Sequence, residues 1–180
     1  MIAIGIGHRA RQGKSSFASA IIENCSRSGL SCVEYSVSDA ILDCAIEEGL
    51  VPPGTRRDQC DPNILVALSW EKRKDKPNFW VDTIAARIEH DWAKVAIIPN
   101  VKMPSEFGLV KDLGGVNVKI TRKNPDGTRF ISGDRDPNDP LETSLEFFRW
   151  DVEITNIYNR PFWLRRQAVA LLEYLTDGGG

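Results

Sequence analysis

A lysine, two serines and two arginines crowd into one run of the chain, Gly5-Ile6-Gly7-His8-Arg9-Ala10-Arg11-Gln12-Gly13-Lys14-Ser15-Ser16. That mixture suits phosphate chemistry. The Lys14 amine can reach the β- and γ-phosphates of a nucleotide, the Ser15 hydroxyl can complete the shell of a Mg²⁺ ion, and Arg11 adds positive charge. The run follows an apolar stretch, Ile2-Ala3-Ile4, and leads into a helical pattern from Lys14. Strand, glycine-bearing loop and helix in that order make a cradle. Backbone N–H groups of the loop and helix start converge on one spot, and the helix dipole adds partial positive charge there. His8, Arg9, Gln12, Gly13, Lys14, Ser15 and Ser16 are the candidate contacts for a nucleoside triphosphate.

The spacing departs from the full phosphate-loop pattern, G-x-x-x-x-G-K-S/T, at one place. Five residues before Gly13 stands His8, and Gly7 comes one residue too early. Either the loop is one residue longer, or His8 takes the first-glycine position and fits its dihedrals, which histidine tolerates better than a β-branched residue.

A chain of 180 residues suits one domain with a full core. Its net charge of −2 gives no electrostatic argument for nucleic acid or a membrane surface. No apolar run approaches membrane-spanning length and no signal peptide precedes the first strand, so a cytoplasmic protein is expected. Cys25, Cys32, Cys44 and Cys60 lack metal-ligand spacing and read as reduced thiols. Residues 1–177 read as a single domain and Gly178 to Gly180 as a disordered tail.

Positioning the loop requires strands and helices in alternation, and the pattern supplies them. Helices are expected over Lys14 to Arg27, over Asp39 to Glu48 with Ser38 as cap, from Asp61 toward Trp70, over Asn78 to Asp91, from Pro104 to Gly114, over Leu141 to Arg149 and over Pro161 to Leu175. Glu71 to Lys76 reads as a charged, solvated turn, and Asn124 to Asp139 as a long loop. Strands are expected at Ile2 to Ile4, Cys32 to Tyr35, Lys94 to Ile98, Asn117 to Ile120 and Val152 to Ile154. The alternation means an α/β fold with a mainly parallel five-stranded sheet and right-handed crossovers, the first strand near the centre beside Lys94 to Ile98.

Ligands of open α/β sheets sit at the carboxyl ends of the strands. There the chain places Tyr35, Ser36, Ser38 and Asp39 after strand two, and Asn100, Lys102 and Glu106 after the central strand. Thr121 and Arg122 follow strand four, and Asn156 follows strand five.

These residues and their order resemble the bacteriophage deoxynucleoside monophosphate kinases, which have the P-loop kinase fold, a three-layer sandwich. The points of resemblance are Arg11 two places before Gly13-Lys14, Tyr35-Ser36-Val37-Ser38-Asp39-Ala40, and Asn100-Val101-Lys102-Met103-Pro104-Ser105-Glu106. Gly114-Gly115, Asp139-Pro140-Leu141-Glu142 and Asp151-Val152-Glu153-Ile154-Thr155-Asn156 complete the set. They span nearly the whole chain. In three places the chain departs from the family: Asn100 stands for an aspartate, Lys102 for an arginine and Asp139 for a histidine. The first weakens a Mg²⁺ ligand, and the second loses the bidentate fork of a guanidinium.

The resemblance implies ATP and Mg²⁺ as cofactors, Mg²⁺ at Ser15 and Asn100, and a deoxynucleotide acceptor, free or within DNA. It makes Lys14, Asp39, Arg11 and Lys102 the catalytic candidates and adds Arg122 to the ATP contacts. Tyr35, Ser36, Asp39, Arg57, Glu106, Arg135 and Glu142 become acceptor candidates. A related reading is a kinase for the hydroxymethyl group of 5-hydroxymethyluracil in DNA, where Asp39 would serve as base. A non-catalytic nucleotide-binding protein is the third. No membrane partner is expected, and a homodimer is the candidate assembly.

Overall fold

Near-continuous apolar residues in Ile2–Gly7 (β1) and Val95–Val101 (β3) are what a parallel strand covered on both faces requires, and these two strands pair at the middle of the sheet. We describe a computed structural model in which residues 1–133, 136–157 and 160–178 are described. With Cys32–Glu34 (β2), Val116–Lys123 (β4) and Val152–Ile157 (β5), the sheet has the order β2-β3-β1-β4-β5. Every strand pair is parallel.

The chain forms two compact units, one of Met1–Glu34 with Trp92–Gly180 and one of Tyr35–Asp91. In the first, Ile4, Ile6, Val95, Ile97, Val118, Ile120 and Ile154 of the sheet bury with Phe17, Ile21 and Cys25 of Lys14–Arg27 (α1). Leu164, Ala168 and Leu172 of the closing helix pack into the same core. Alternate strand positions face the other way. There β1 offers Ala3 and Gly5, and a Cβ on Gly5 would stand 2.6 Å from Val110 Cγ2 of Pro104–Asp112 (α5). The missing side chain lets that helix lie close to the strand that carries the loop.

The second unit holds Val37–Glu47 (α2), Pro62–Asp75 (α3) and Phe79–Asp91 (α4), with a 3-10 turn at Arg57–Gln59. Trp80 and Ile84 are buried, and the Trp80 indole N–H donates to Ser69 O at 3.1 Å.

Three expected elements differ. The cap of α2 is Ser36, whose hydroxyl accepts from Asp39 N–H, so the helix starts before Ser38. The charged stretch 71–75 is helix, the last turn of α3. Lys72, Arg73 and Lys74 there suit the negative end of the helix dipole, and Lys72 pairs with Glu48. Helix Pro140–Thr143 (α6) is only four residues long. Beyond it the Ser144 hydroxyl donates to Lys102 O and the Trp150 indole to Leu145 O, side-chain bonds that turn the chain instead of extending the helix. Strands β4 and β5 each run three residues past their expected ends, and Pro161–Thr176 (α7) closes the fold as expected. Among the described residues no helix is long and apolar enough to cross a membrane.

Candidate phosphate-binding site

The loop between β1 and α1 has the conformation its sequence left open. Gly7 is the last residue of β1, and His8 takes the first-glycine position at φ +87°. Gly7 is needed for another reason: a Cβ there would stand 2.4 Å from the Trp150 ring and 2.5 Å from Val101 O. Arg11 at φ +58° and Gly13 at φ +104° complete the turn into α1. The first helical bond runs from Phe17 N–H to Gly13 O, at 3.1 Å. The N–H groups of Lys14, Ser15 and Ser16 therefore have no acceptor within the helix, and no acidic side chain sits in the first turn. The two serines are exposed.

Two side-chain amides, buried Gln12 and half-buried Asn156, brace the loop. Gln12, 1% exposed, donates to Ala10 O at 3.2 Å and Phe130 O at 3.3 Å and accepts the Arg122 N–H. Asn156 of β5 donates to Gln12 O at 2.8 Å. The Arg122 guanidinium lies 4.6 Å over the Phe130 ring.

Charges surround this frame. Lys14 is 6% exposed, and its amine folds back on His8 O at 3.1 Å and Arg9 O at 2.6 Å. Burial, with Lys102 repelling from nearby, brings its pKa down to about 8, against the pull of Glu142. The Glu142 carboxylate, in a residue 7% exposed, accepts the Ala10 N–H at 2.6 Å and pairs with Lys102. Burial would raise its pKa. The bonds from Lys102 and Ala10 and the charges of Lys102 and Lys14 outweigh this and hold it below the ordinary value. Lys102 is fixed along its backbone too. Its N–H donates to Glu106 at 2.7 Å, beside Met103 N–H at 3.1 Å, and its carbonyl accepts from Ser144.

A second carboxylate, Glu146, accepts from Arg129 at 2.9 Å and from Arg9 at 3.2 Å. The Arg129 bond leads in holding its pKa down to about 2, against the opposing effect of burial. His8, buried against the Trp150 edge, has Nε2 3.1 Å from Arg129 Nη2. A guanidinium only donates, so Nε2 accepts and the ring proton belongs on Nδ1. Burial, then the Arg129 and Lys119 charges, lower the His8 pKa to about 4.

The structure thus brings His8, Arg9, Gln12, Gly13, Lys14, Lys102, Arg122 and Glu142 together around one loop. Arg11 is exposed on it. Asn100 is exposed near the end of β3 at φ +57°. Glu106 is buried and binds the backbone after β3. In the other unit Tyr35 is buried, Ser36 caps α2, Asp39 is exposed in its first turn, and Arg57 is exposed in the 3-10 turn. Arg135 lies outside the described residues. Among the described residues no group of three or more His, Cys, Asp or Glu side chains could hold a metal.

Arg129, Glu146 and Trp150 were not foreseen as parts of the site. Glu146 is 137 residues from Arg9, and nothing in its neighbourhood of the chain signals that contact. Asn156 was legible through its position after strand five.

No protein-family model matches the chain, and no curated protein matches it. Solved structures do. A shikimate kinase from Aquifex aeolicus is 15% identical with TM-score 0.51, over 98% of this chain and 99% of that one. A sugar kinase from a Janibacter species is 12% identical with TM-score 0.50, over 96% and 95%. A Thermus thermophilus protein is 16% identical with TM-score 0.53, over 96% and 97%. The chain therefore has the α/β fold of P-loop kinases, with a mainly parallel five-stranded sheet.

Proposed function

We propose that the chain is an ATP-dependent phosphotransferase that moves the γ-phosphate of ATP to a deoxynucleotide, residues 1–177 working as one kinase domain. The observation that carries the reading is the junction of β1 and α1. There Gly13 in a left-handed conformation, the free N–H groups of Lys14 to Ser16 and the buried Lys14 amine share one loop. Phosphoryl transfer depends on positioning and on positive charge around the moving group more than on covalent help. Lys14 and Arg11 supply that charge at the loop, with Lys102 beside it. Arg122 contacts ATP, and Tyr35, Ser36, Asp39, Arg57, Glu106, Arg135 and Glu142 serve the acceptor.

The donor set fits a Mg²⁺ ion that arrives with the nucleotide. The Ser15 hydroxyl is exposed at the helix start and Asn100 supplies an amide, and Mg²⁺ keeps most of its shell as water and phosphate oxygen. When bound, the ion neutralises charge on the β- and γ-phosphates.

One observation favours DNA over a free nucleotide as the acceptor. On α3 the exposed Trp70 has Arg73 5.7 Å over its ring, in a turn that also carries Lys72 and Lys74. A base can stack on such a surface while the cations follow the backbone. In that reading the acceptor is the hydroxymethyl group of a modified uracil, and Asp39 is its base. The test offers labelled ATP and Mg²⁺ with a panel of deoxynucleoside monophosphates and with 5-hydroxymethyluracil DNA. Label in a nucleotide supports the first reading and label in DNA the second. Nucleotide binding with no transfer to either would leave a non-catalytic binder.

A further inference from the structure

The carboxylate of Glu142 does what a ligand phosphate would do. It takes a loop N–H, from Ala10, at 2.6 Å, and it takes the charge of Lys102. It also lies close enough to Lys14 for each to shift the other's titration. Three anion-seeking groups around the phosphate loop are thus partly satisfied by the protein's own anion. Glu142 reaches them from α6, a helix of only four residues, followed by turns and not by further regular structure. α6 itself is anchored by the Asp139 carboxylate, which accepts the Leu141 N–H at 2.8 Å, and by Ser144, which holds Lys102 O, while the segment's far end is fixed by buried Leu145 and by Glu146 on Arg9 and Arg129.

Resting on the nucleotide-binding reading above, we propose that Glu142 holds the place of the terminal phosphate of a nucleoside triphosphate, and that the ligand displaces it. Two anions cannot both take the single Ala10 N–H. The arriving phosphate brings more charge and more acceptor oxygens, so it takes the Ala10 N–H and Lys102. Glu142 then leaves the loop with α6, which frees its carboxylate for the acceptor role proposed above. The segment from Pro140 to Thr143 is therefore a strap over the loop, hinged where Leu145 and Glu146 are fixed. It satisfies the half-buried Ala10 N–H and Lys102 amine, and it weakens binding of anything without a terminal phosphate strong enough to move it.

The test uses two measurements, with ATP and inorganic pyrophosphate as probes in Mg²⁺-free buffer. By calorimetry, Glu142→Gln should bind each about tenfold more tightly than the wild type, because a charge-assisted contact no longer has to be broken. By hydrogen exchange on the wild-type protein, pyrophosphate should protect residues 8–17 and raise exchange across 140–146. Equal or weaker binding by a folded Glu142→Gln overturns the proposal. So does protection of 140–146, and if the variant does not fold the exchange result decides alone. Failure of both probes to bind either protein overturns the phosphate-loop reading along with this one. Equal binding to both proteins removes only the strap.

Discussion

Replacing Gly13 by alanine tests the loop geometry most directly. Gly13 sits at φ +104°, where a side chain costs about 1–2 kcal/mol. A Cβ there would also stand 2.5 Å from Asn156 Nδ2 and 3.1 Å from Leu164 Cδ2. The amide must swing away, and its 2.8 Å bond to Gln12 O is lost, roughly a further 1 kcal/mol. The sum is about 2–3 kcal/mol, which lowers the melting temperature of a domain this size by roughly 5–10 °C. Gly29→Ala is the control. Gly29 has φ +67° with nothing within 4 Å of its added Cβ, so only the conformational cost applies, about 1–2 kcal/mol. Melting followed by circular dichroism compares the two. The double variant Gly13→Ala with Asn156→Ala, freed of the close contact, should lose less than the sum of its single changes. A Gly13→Ala melt no lower than that of Gly29→Ala would refute the reasoning, because the Asn156 brace would then contribute nothing.

Other predictions follow from the charges. Lys14→Met should abolish transfer to any acceptor in a labelled-ATP assay, while its stability responds to pH differently from the wild type. The folded-state value of about 8 lies below the ordinary 10.5. Between those values the unfolded chain holds more protons, so the wild type gains stability as pH rises across that window, and Lys14→Met should lack the gain in denaturant melts. For His8, the folded value of about 4 lies below 6.5, so its contribution is present above pH 6.5 and lost as pH falls toward 4. The imidazole resonances should stay unshifted down to about pH 5, and His8→Asn should flatten the stability loss in that window. Glu106→Gln should weaken two charge-assisted bonds to the backbone after β3, loosening Lys102. Thermal melts should fall by the roughly 1–3 kcal/mol expected for such contacts.

What the sequence made legible was whatever depends on short stretches. Helix α1 has the expected bounds because its apolar residues recur at helical spacing and Ser28-Gly29 ends them. The strand order near the centre was legible because only β1 and β3 are apolar enough to be covered on both faces. Composition misled at 71–75, where lysine, arginine and glutamate are good helix formers and continue α3. The turns after Thr143 were illegible because their cause is a partner elsewhere in the chain: Ser144 meets Lys102, and Glu146 meets Arg9 and Arg129. The puzzle of two candidate first glycines had no local answer either. Gly7 is required by Trp150, which lies 143 positions downstream.

Two kinds of contact hold the phosphate loop, and their difference bears on how it works. Gln12 and Asn156 bind backbone with neutral amides, contacts that an incoming anion neither competes for nor improves. They fix the shape of the loop whether or not a nucleotide is present. Glu142 binds through charge, at the groups a phosphate would seek. Such a contact is also the one that, on the proposal above, an arriving phosphate replaces. The departures from the kinase pattern fit this division. His8 in place of glycine is tolerated because the rigid set, with Arg129 and Trp150 around the ring, fixes its dihedrals. Lys102 in place of arginine changes the shape of that charge, because an ammonium is a compact point charge and not a planar fork. On the proposed displacement the Ala10 N–H is contested whichever cation stands at 102, so a Lys102→Arg variant should still show raised exchange across 140–146 when pyrophosphate binds.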